Sequence, residues 1–264
     1  MEHNSRIRDV FGIRDLAHVR YTDPTVTVLT SPEIPAKDAI AYHRELATGW
    51  EQRYSKPAFR ARLRVFEECL GDRDLRGQAW LDAGCGSGTM ARVLAERDAR
   101  VLGVDAAQEM IENARKLASV REGNLQLSFE RVATIAQLPL AAASLDGILC
   151  SSVLEYVPEP ALCLAEFARV LRPGGVLVVS VANRNSVVRK VQIAAHSMGR
   201  ILGQKWCAFL DYSRNDYTAA GFRELLKQQG FVTSAVIPFG SPIPHWLQRR
   251  GFGGSLLAFS SVRE

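Results

Sequence analysis

A glycine-rich bend between an apolar strand and a helix constrains this chain more than any other feature. The bend is LDAGCGSGT, residues 81–89. A strand is read over 78–82 before it and a helix over 90–97 after it, with Met90, Val93 and Leu94 on one face. The alternation then repeats, with strands over 100–104, 125–129, 145–150 and 176–181 and helices over 108–118 and 161–171. The turn RPGG, residues 172–175, stops the last helix. A strand–helix rhythm of this kind predicts an α/β, Rossmann-like fold, a mostly parallel sheet with helices on both faces. Two late strands, over 231–237 and 255–260, follow a helix over 218–229 closed by Gly230.

In an open parallel sheet, ligands sit beyond the carboxyl ends of the strands, where the first strand turns into its helix. Gly84, Gly86 and Gly88 occupy that turn, where glycine permits positive φ and a close approach of ligand to backbone. Asp105 ends the second strand, placed to accept hydrogen bonds from two ribose hydroxyls, so the expected ligand carries adenosine. A dinucleotide fingerprint reads G-x-G-x-x-G, with a helix N-terminus aimed at a pyrophosphate. Here the spacing is G-x-G-x-G, and Asp82 stands two residues ahead of the first glycine. A carboxylate repels a pyrophosphate and attracts an ammonium, which favours S-adenosylmethionine.

Composition sets the outer bounds. The 264 residues are 47% hydrophobic and 23% charged, an ordinary globular balance for one α/β domain with extensions. No apolar run reaches the roughly 20 residues of a membrane-spanning helix. The N-terminus mixes both charge signs without an apolar core, so a secretory signal is not expected. Five scattered cysteines lack metal-ligand spacing, as expected of reduced thiols in a cytoplasmic protein. The net charge of +5 is diffuse and accompanies no separate RNA module, so no nucleic-acid partner is expected.

Four stretches, WLDAGCGSGT, VLGVDAAQEMIENAR, the LPL after the third strand, and ILCSSVLEYVPEPALCLAEFARVLRPGG, together resemble the class I S-adenosylmethionine-dependent methyltransferases. The resemblance spans roughly 79–181 and lies nearest the small-molecule branch that includes the ubiquinone and menaquinone methyltransferases. It implies a seven-stranded sheet whose last two strands form an antiparallel addition. It also implies that Asp82, Gly84 and Gly86, with Gly88 in the same bend, hold the methionine part of the cofactor and Asp105 the ribose. Ala106 and Met110 would flank the adenine. Relatives often read D-A-E-x-L-P after the third strand. This chain has TIAQLP, so Thr134 stands in place of the Asp and Ile135 follows it. Cys150 and Ser151, ending the fourth strand, would lie near the sulfonium.

The acceptor is less defined. Ubiquinone-type catechol methylation uses a metal near E-x-x-E-H. Here SSVLEY keeps Glu155 but carries Ser152 and Tyr156 at the other ligand positions, so no metal is expected. The N-P-P-Y motif of enzymes that methylate amines of nucleic acids and protein glutamines is replaced by CSSV, residues 150–153. Candidates for acceptor chemistry are Tyr156, His196, His245 and Tyr212, each weighed against a role as a packing or surface residue. Trp50 and Tyr54 could belong to a lid or only anchor a helix. The chain divides into an N-terminal extension and helical lid over 1–75 and a methyltransferase domain over 76–264. A helical insertion at about 184–210 interleaves Arg189, Lys190 and Arg200 with Val187, Val191 and Ile201. That insertion is read as a lid, a lid with transient membrane-surface contact, or a plain solvated helix. With Phe239, Ile243, Trp246 and Phe252 near the same opening, the expected acceptor is a small, hydrophobic or aromatic molecule. Transfer to oxygen is favoured. Methylation at carbon of a quinone, polyketide or isoprenoid-like acceptor is the alternative, as is a cofactor-binding protein without turnover. The sequence leaves the oligomeric state open.

Overall fold

The computed structural model describes residues 39–47, 49, 57–119, 125–240 and 254–264. Trp50, Tyr54, His245, Ile243, Trp246 and Phe252 lie outside the described residues. In chain order the elements are α1 (Ala39–Leu46), α2 (Pro57–Leu70), β1 (Ala79–Ala83), α3 (Thr89–Ala95), β2 (Arg100–Asp105), α4 (Gln108–Ser119) and β3 (Leu127–Arg131). They continue with β4 (Leu145–Ser151), α5 (Pro160–Val170), β5 (Leu171–Ala182), α6 (Val187–Ile201), α7 (Ala219–Gln228), β6 (Phe231–Phe239) and β7 (Leu256–Arg263).

The strands form one seven-stranded sheet in the order β3-β2-β1-β4-β5-β7-β6. β1 to β5 pair in parallel, whereas β7 runs antiparallel to both β5 and β6. The order reverses at β1, which has β2 on one side and β4 on the other. That reversal opens the crevice in which open α/β sheets bind ligands. The RPGG turn loops out of β5, whose pairing with β4 jumps from Leu145↔Leu171 to Gly147↔Val176.

Side chains of β1 alternate between two buried layers. Leu81 joins Ile148, Phe167, Leu177, Phe222 and Phe259 on the face covered by α5 and α7. Trp80 points the other way and packs with Phe66, Leu70, Met90, Leu94 and Ile111 from α2, α3 and α4. Gly147 pairs with Trp80 across β1 and β4, and a Cβ there would sit 2.4 Å from the indole. Burial on both faces is what turns these strands into near-continuous apolar runs. α2 thus packs on the sheet through Val65, Phe66, Cys69 and Leu70. Of the described residues before 76, α1 and the first turns of α2, through Phe59 and Arg62, face the crevice.

α1 is tied to α4 by the Arg44–Glu109 ion pair and by Asn113 Nδ2 donating to the Ala47 carbonyl at 3.2 Å. Its Tyr42 stacks on Tyr212, with ring centroids 4.4 Å apart. Tyr212 follows a short 3-10 turn, Ala208–Asp211, that succeeds α6. Chain from both ends of the sequence therefore meets above the carboxyl ends of the parallel strands.

Candidate active site

Beneath that roof lies a cavity of about 510 Å³. Of the residues singled out from sequence, Gly84, Gly86, Asp105, Ala106, Met110, Thr134, Ile135, Ser151 and Tyr156 line it. The glycine bend is built for the purpose. Gly84 has φ 78° and lies so close to the turn after β4 that a Cβ would fall 2.2 Å from Val153 Cγ2. Gly88, at φ 76°, is the N-cap of α3 and packs on Phe129 instead of lining the cavity. Gly86 donates its N–H to Asp105 Oδ2 at 2.9 Å, and Ala107 donates to Asp105 Oδ1 at 2.9 Å. Two backbone donors thus fix the Asp105 carboxyl and leave its remaining lone pairs for a ligand. Burial raises its pKa, opposed by those N–H groups.

Asp82 lies beneath the bend at 1% exposure, and its Oδ2 has no hydrogen-bond partner among the described residues. Burial pushes its carboxyl up to about 7, against a hydrogen bond from the Ala91 backbone. A buried, half-satisfied carboxyl is unfavourable unless something pairs with it. An ammonium resting on the glycine bend would do so. With the fixed Asp105 one strand away, these residues fit the amino-acid tail and ribose of S-adenosylmethionine. Thr134 Oγ1 already accepts the Ala136 N–H at 3.1 Å. Ser151 Oγ is buried without a partner among the described residues, whereas Cys150 turns into the core at 0% exposure, where burial raises its thiol pKa.

The remaining candidates separate. Tyr156 lines the cavity edge-on to His43, with centroids 5.0 Å apart, and burial keeps its phenol protonated well beyond the usual range. Tyr212 reaches the site through its stack on Tyr42. His196 stands apart from the cavity lining, with Nδ1 3.0 Å from the Trp206 carbonyl oxygen and Nε2 3.2 Å from Asp211.

Several lining residues escaped the sequence reading, among them Tyr42, His43, Phe59, Arg62, Gln192 and Phe209. The most consequential is Glu155, noted in sequence only as a leftover of a metal motif. It lines the cavity at 3% exposure. Burial raises its carboxyl to about 7, with Arg189, Arg62 and a Ser152 hydrogen bond pulling the other way. Its position is clamped from behind. The Arg214 and Asn215 N–H groups donate to the Glu155 carbonyl at 2.7 and 3.2 Å, and Asn215 Nδ2 donates to the carbonyls of Leu154 and Val157. Arg189, from α6, also faces the cavity.

Fold and site together resemble those of class I S-adenosylmethionine-dependent methyltransferases. Residues 81–179 match the family described as the methyltransferase domain. A 37.1 kDa protein of transposon TN4556 from Streptomyces fradiae is 38% identical over 150 residues, covering 56% of this chain and 40% of that protein. The ubiquinone biosynthesis O-methyltransferase of Idiomarina loihiensis is 35% identical over 127 residues, covering 47% of this chain and 51% of that one. The chain spans about half the length of the curated relatives it matches. Among solved structures, magnesium protoporphyrin IX methyltransferase from Synechocystis PCC 6803, with bound SAH, superposes with a TM-score of 0.61 at 19% identity, covering 86% of this chain and 95% of that one. That likeness is one of fold. No helix among the described residues is long and apolar enough to cross a membrane.

Proposed function

We propose that the chain transfers a methyl group from S-adenosylmethionine to an oxygen of a small aromatic or apolar acceptor, with Glu155 as the base that takes the acceptor's proton. The observation that carries this reading is the Glu155 carboxyl, which lines the cavity and is raised to about 7 by burial. A base poised near the working pH is partly ionised, yet basic enough to draw a proton from a hydroxyl. The ubiquinone O-methyltransferases among the relatives support oxygen as the acceptor atom.

When bound, S-adenosylmethionine supplies a methyl already activated on its sulfonium. Asp82 accepts from the ammonium of the amino-acid tail, and Arg62 provides the positive charge for its carboxylate. Asp105 accepts from the ribose hydroxyls, while Met110, Ala106 and Ile135 pack around the adenine. Tyr156, a phenol that stays protonated, donates a hydrogen bond to the acceptor oxygen. Tyr42, His43, Phe59 and Phe209 supply aromatic surface that orients a flat molecule and excludes water, and orientation of this kind can lower a barrier by several kcal/mol.

The test is to incubate the protein with S-adenosylmethionine and a panel of phenols and to follow S-adenosylhomocysteine and methylated product by mass spectrometry. Glu155→Gln is expected to lower kcat about 100-fold while S-adenosylhomocysteine still binds. Cofactor binding without product across the panel would favour a non-catalytic cofactor-binding protein, and a carbon-methylated product would move the acceptor atom.

A further inference from the structure

α6 is amphipathic the wrong way round for a helix on a protein surface. Its apolar side chains face outward: Val187, Val191 and Ile201 are 60%, 62% and 79% exposed. Its charged Arg189 faces inward at 5% exposure and lines the cavity together with Gln192, one helical turn on.

The guanidinium is held on two sides. Nη2 donates to Ser213 Oγ at 2.7 Å, and the group lies over the Phe209 ring, 5.6 Å from its centroid. Yet Nε has no hydrogen-bond partner and Arg189 forms no ion pair among the described residues. Gln192 Oε1 is likewise buried without a partner. Glu155 feels the Arg189 charge across the cavity, but no described carboxylate closes on the guanidinium, and a buried donor left unpaired is unfavourable. An unpaired donor beside an unpaired acceptor is a recognition pattern awaiting its complement.

We propose that Arg189 and Gln192 form the specificity element for an acceptor that is a hydroxyaromatic carboxylate. The inference rests on the methyltransferase reading of the same cavity and names its substrate class. Arg189 Nε donates to the carboxylate, and Gln192 Oε1 accepts from a ring hydroxyl. Glu155 offsets part of the Arg189 charge, so the chamber accepts no more than a monoanion. Arg62 is taken by the tail of the cofactor, and the remaining guanidinium shares the chamber with Glu155, which would repel a doubly charged phosphate. The aromatic walls given by Tyr42, Tyr156 and Phe209 suit a planar ring.

The test is calorimetric, on protein saturated with S-adenosylhomocysteine, with 3,4-dihydroxybenzoate, its methyl ester and catechol as probes. The acid is expected to bind at least about tenfold more tightly than the ester or catechol, as a charge-assisted hydrogen bond predicts. Arg189→Met removes that preference, Arg189→Lys restores part of it, and Gln192→Leu weakens all three probes. Equal affinity of the wild-type protein for acid and ester overturns the inference, as does failure of the acid to bind at millimolar concentration. The wild-type comparison decides the matter even where a variant folds poorly. S-adenosylhomocysteine binding is measured first. Its failure would sink the methyltransferase reading itself, whereas its success with an indifferent acceptor pocket sinks only the carboxylate.

Discussion

Two buried carboxyls, Asp82 beneath the glycine bend and Glu155 in the cavity lining, are each raised to about 7, and both must be ionised to act. Asp82 must be ionised to hold an ammonium, so cofactor affinity should rise as pH increases through about 7 and weaken below it. Calorimetric titration of S-adenosylhomocysteine between pH 5.5 and 8.5 measures this, and Asp82→Asn should give weaker and nearly pH-independent binding. Glu155 must be ionised to accept a proton, so kcat should climb over the same window. In Glu155→Gln that climb should vanish, leaving a slow, flat profile. Asp105→Ala should weaken the cofactor at every pH, because its role is to accept from hydroxyls whose protonation does not change in that range. An Asp105→Ala protein with wild-type affinity would remove the ribose assignment.

At the scale of elements, the glycine bend is the least tolerant piece. Gly84→Ala places a side chain at φ 78° and 2.2 Å from Val153 Cγ2, so it should lower the melting temperature and abolish cofactor binding together. The exposed stripe of α6 should tolerate change. Val191→Ser and Ile201→Ser are expected to shift stability by no more than about 0.5 kcal/mol each, the usual range for surface substitutions. Much of this element-level order was legible beforehand. Strand–helix alternation, LDAGCGSGT and Asp105 are local signals, and they placed the sheet and the residues that line the cavity beside the glycine bend, because that half of the cavity is built from consecutive β–α turns. The acceptor-facing half was not legible, for a physical reason. Tyr42 and His43 reach the cavity only because Arg44 and Asn113 join α1 to α4. Glu155 is raised because the surrounding fold, with chain as distant as Arg214 and Asn215 held against its backbone, buries it. The periodicity of α6 announced a two-faced helix, but a reading that assumes the apolar face turns inward assigns its faces backwards. Arg189 therefore looked like one more surface cation.

For the whole molecule, the same two carboxyls make the fold less stable as the pH approaches neutrality from below. In the unfolded chain Asp82 and Glu155 ionise at ordinary carboxyl values, 3.8 and 4.5, whereas in the folded chain both wait until about 7. Between about pH 4 and 7 the folded state therefore binds more protons than the unfolded state, and its stability falls as pH rises through that window and levels off above it. Shifts of this size correspond to at most about 3 to 4 kcal/mol per group. Acid-induced unfolding of other carboxylates opposes the trend at the low end, so the contribution is isolated by difference. Glu155→Gln should melt higher than the wild-type protein at pH 8 and close to it at pH 5. A ligand that pairs with Asp82 reverses that residue's part of the penalty. The rise in melting temperature on adding S-adenosylhomocysteine should thus be larger at pH 8 than at pH 5.5, as scanning calorimetry at fixed ligand concentration would measure. A shift that is the same at both pH values, or larger at the acidic one, would mean that the ammonium of the ligand does not rest on Asp82. The glycine bend would then have to be holding its guest by backbone contacts alone.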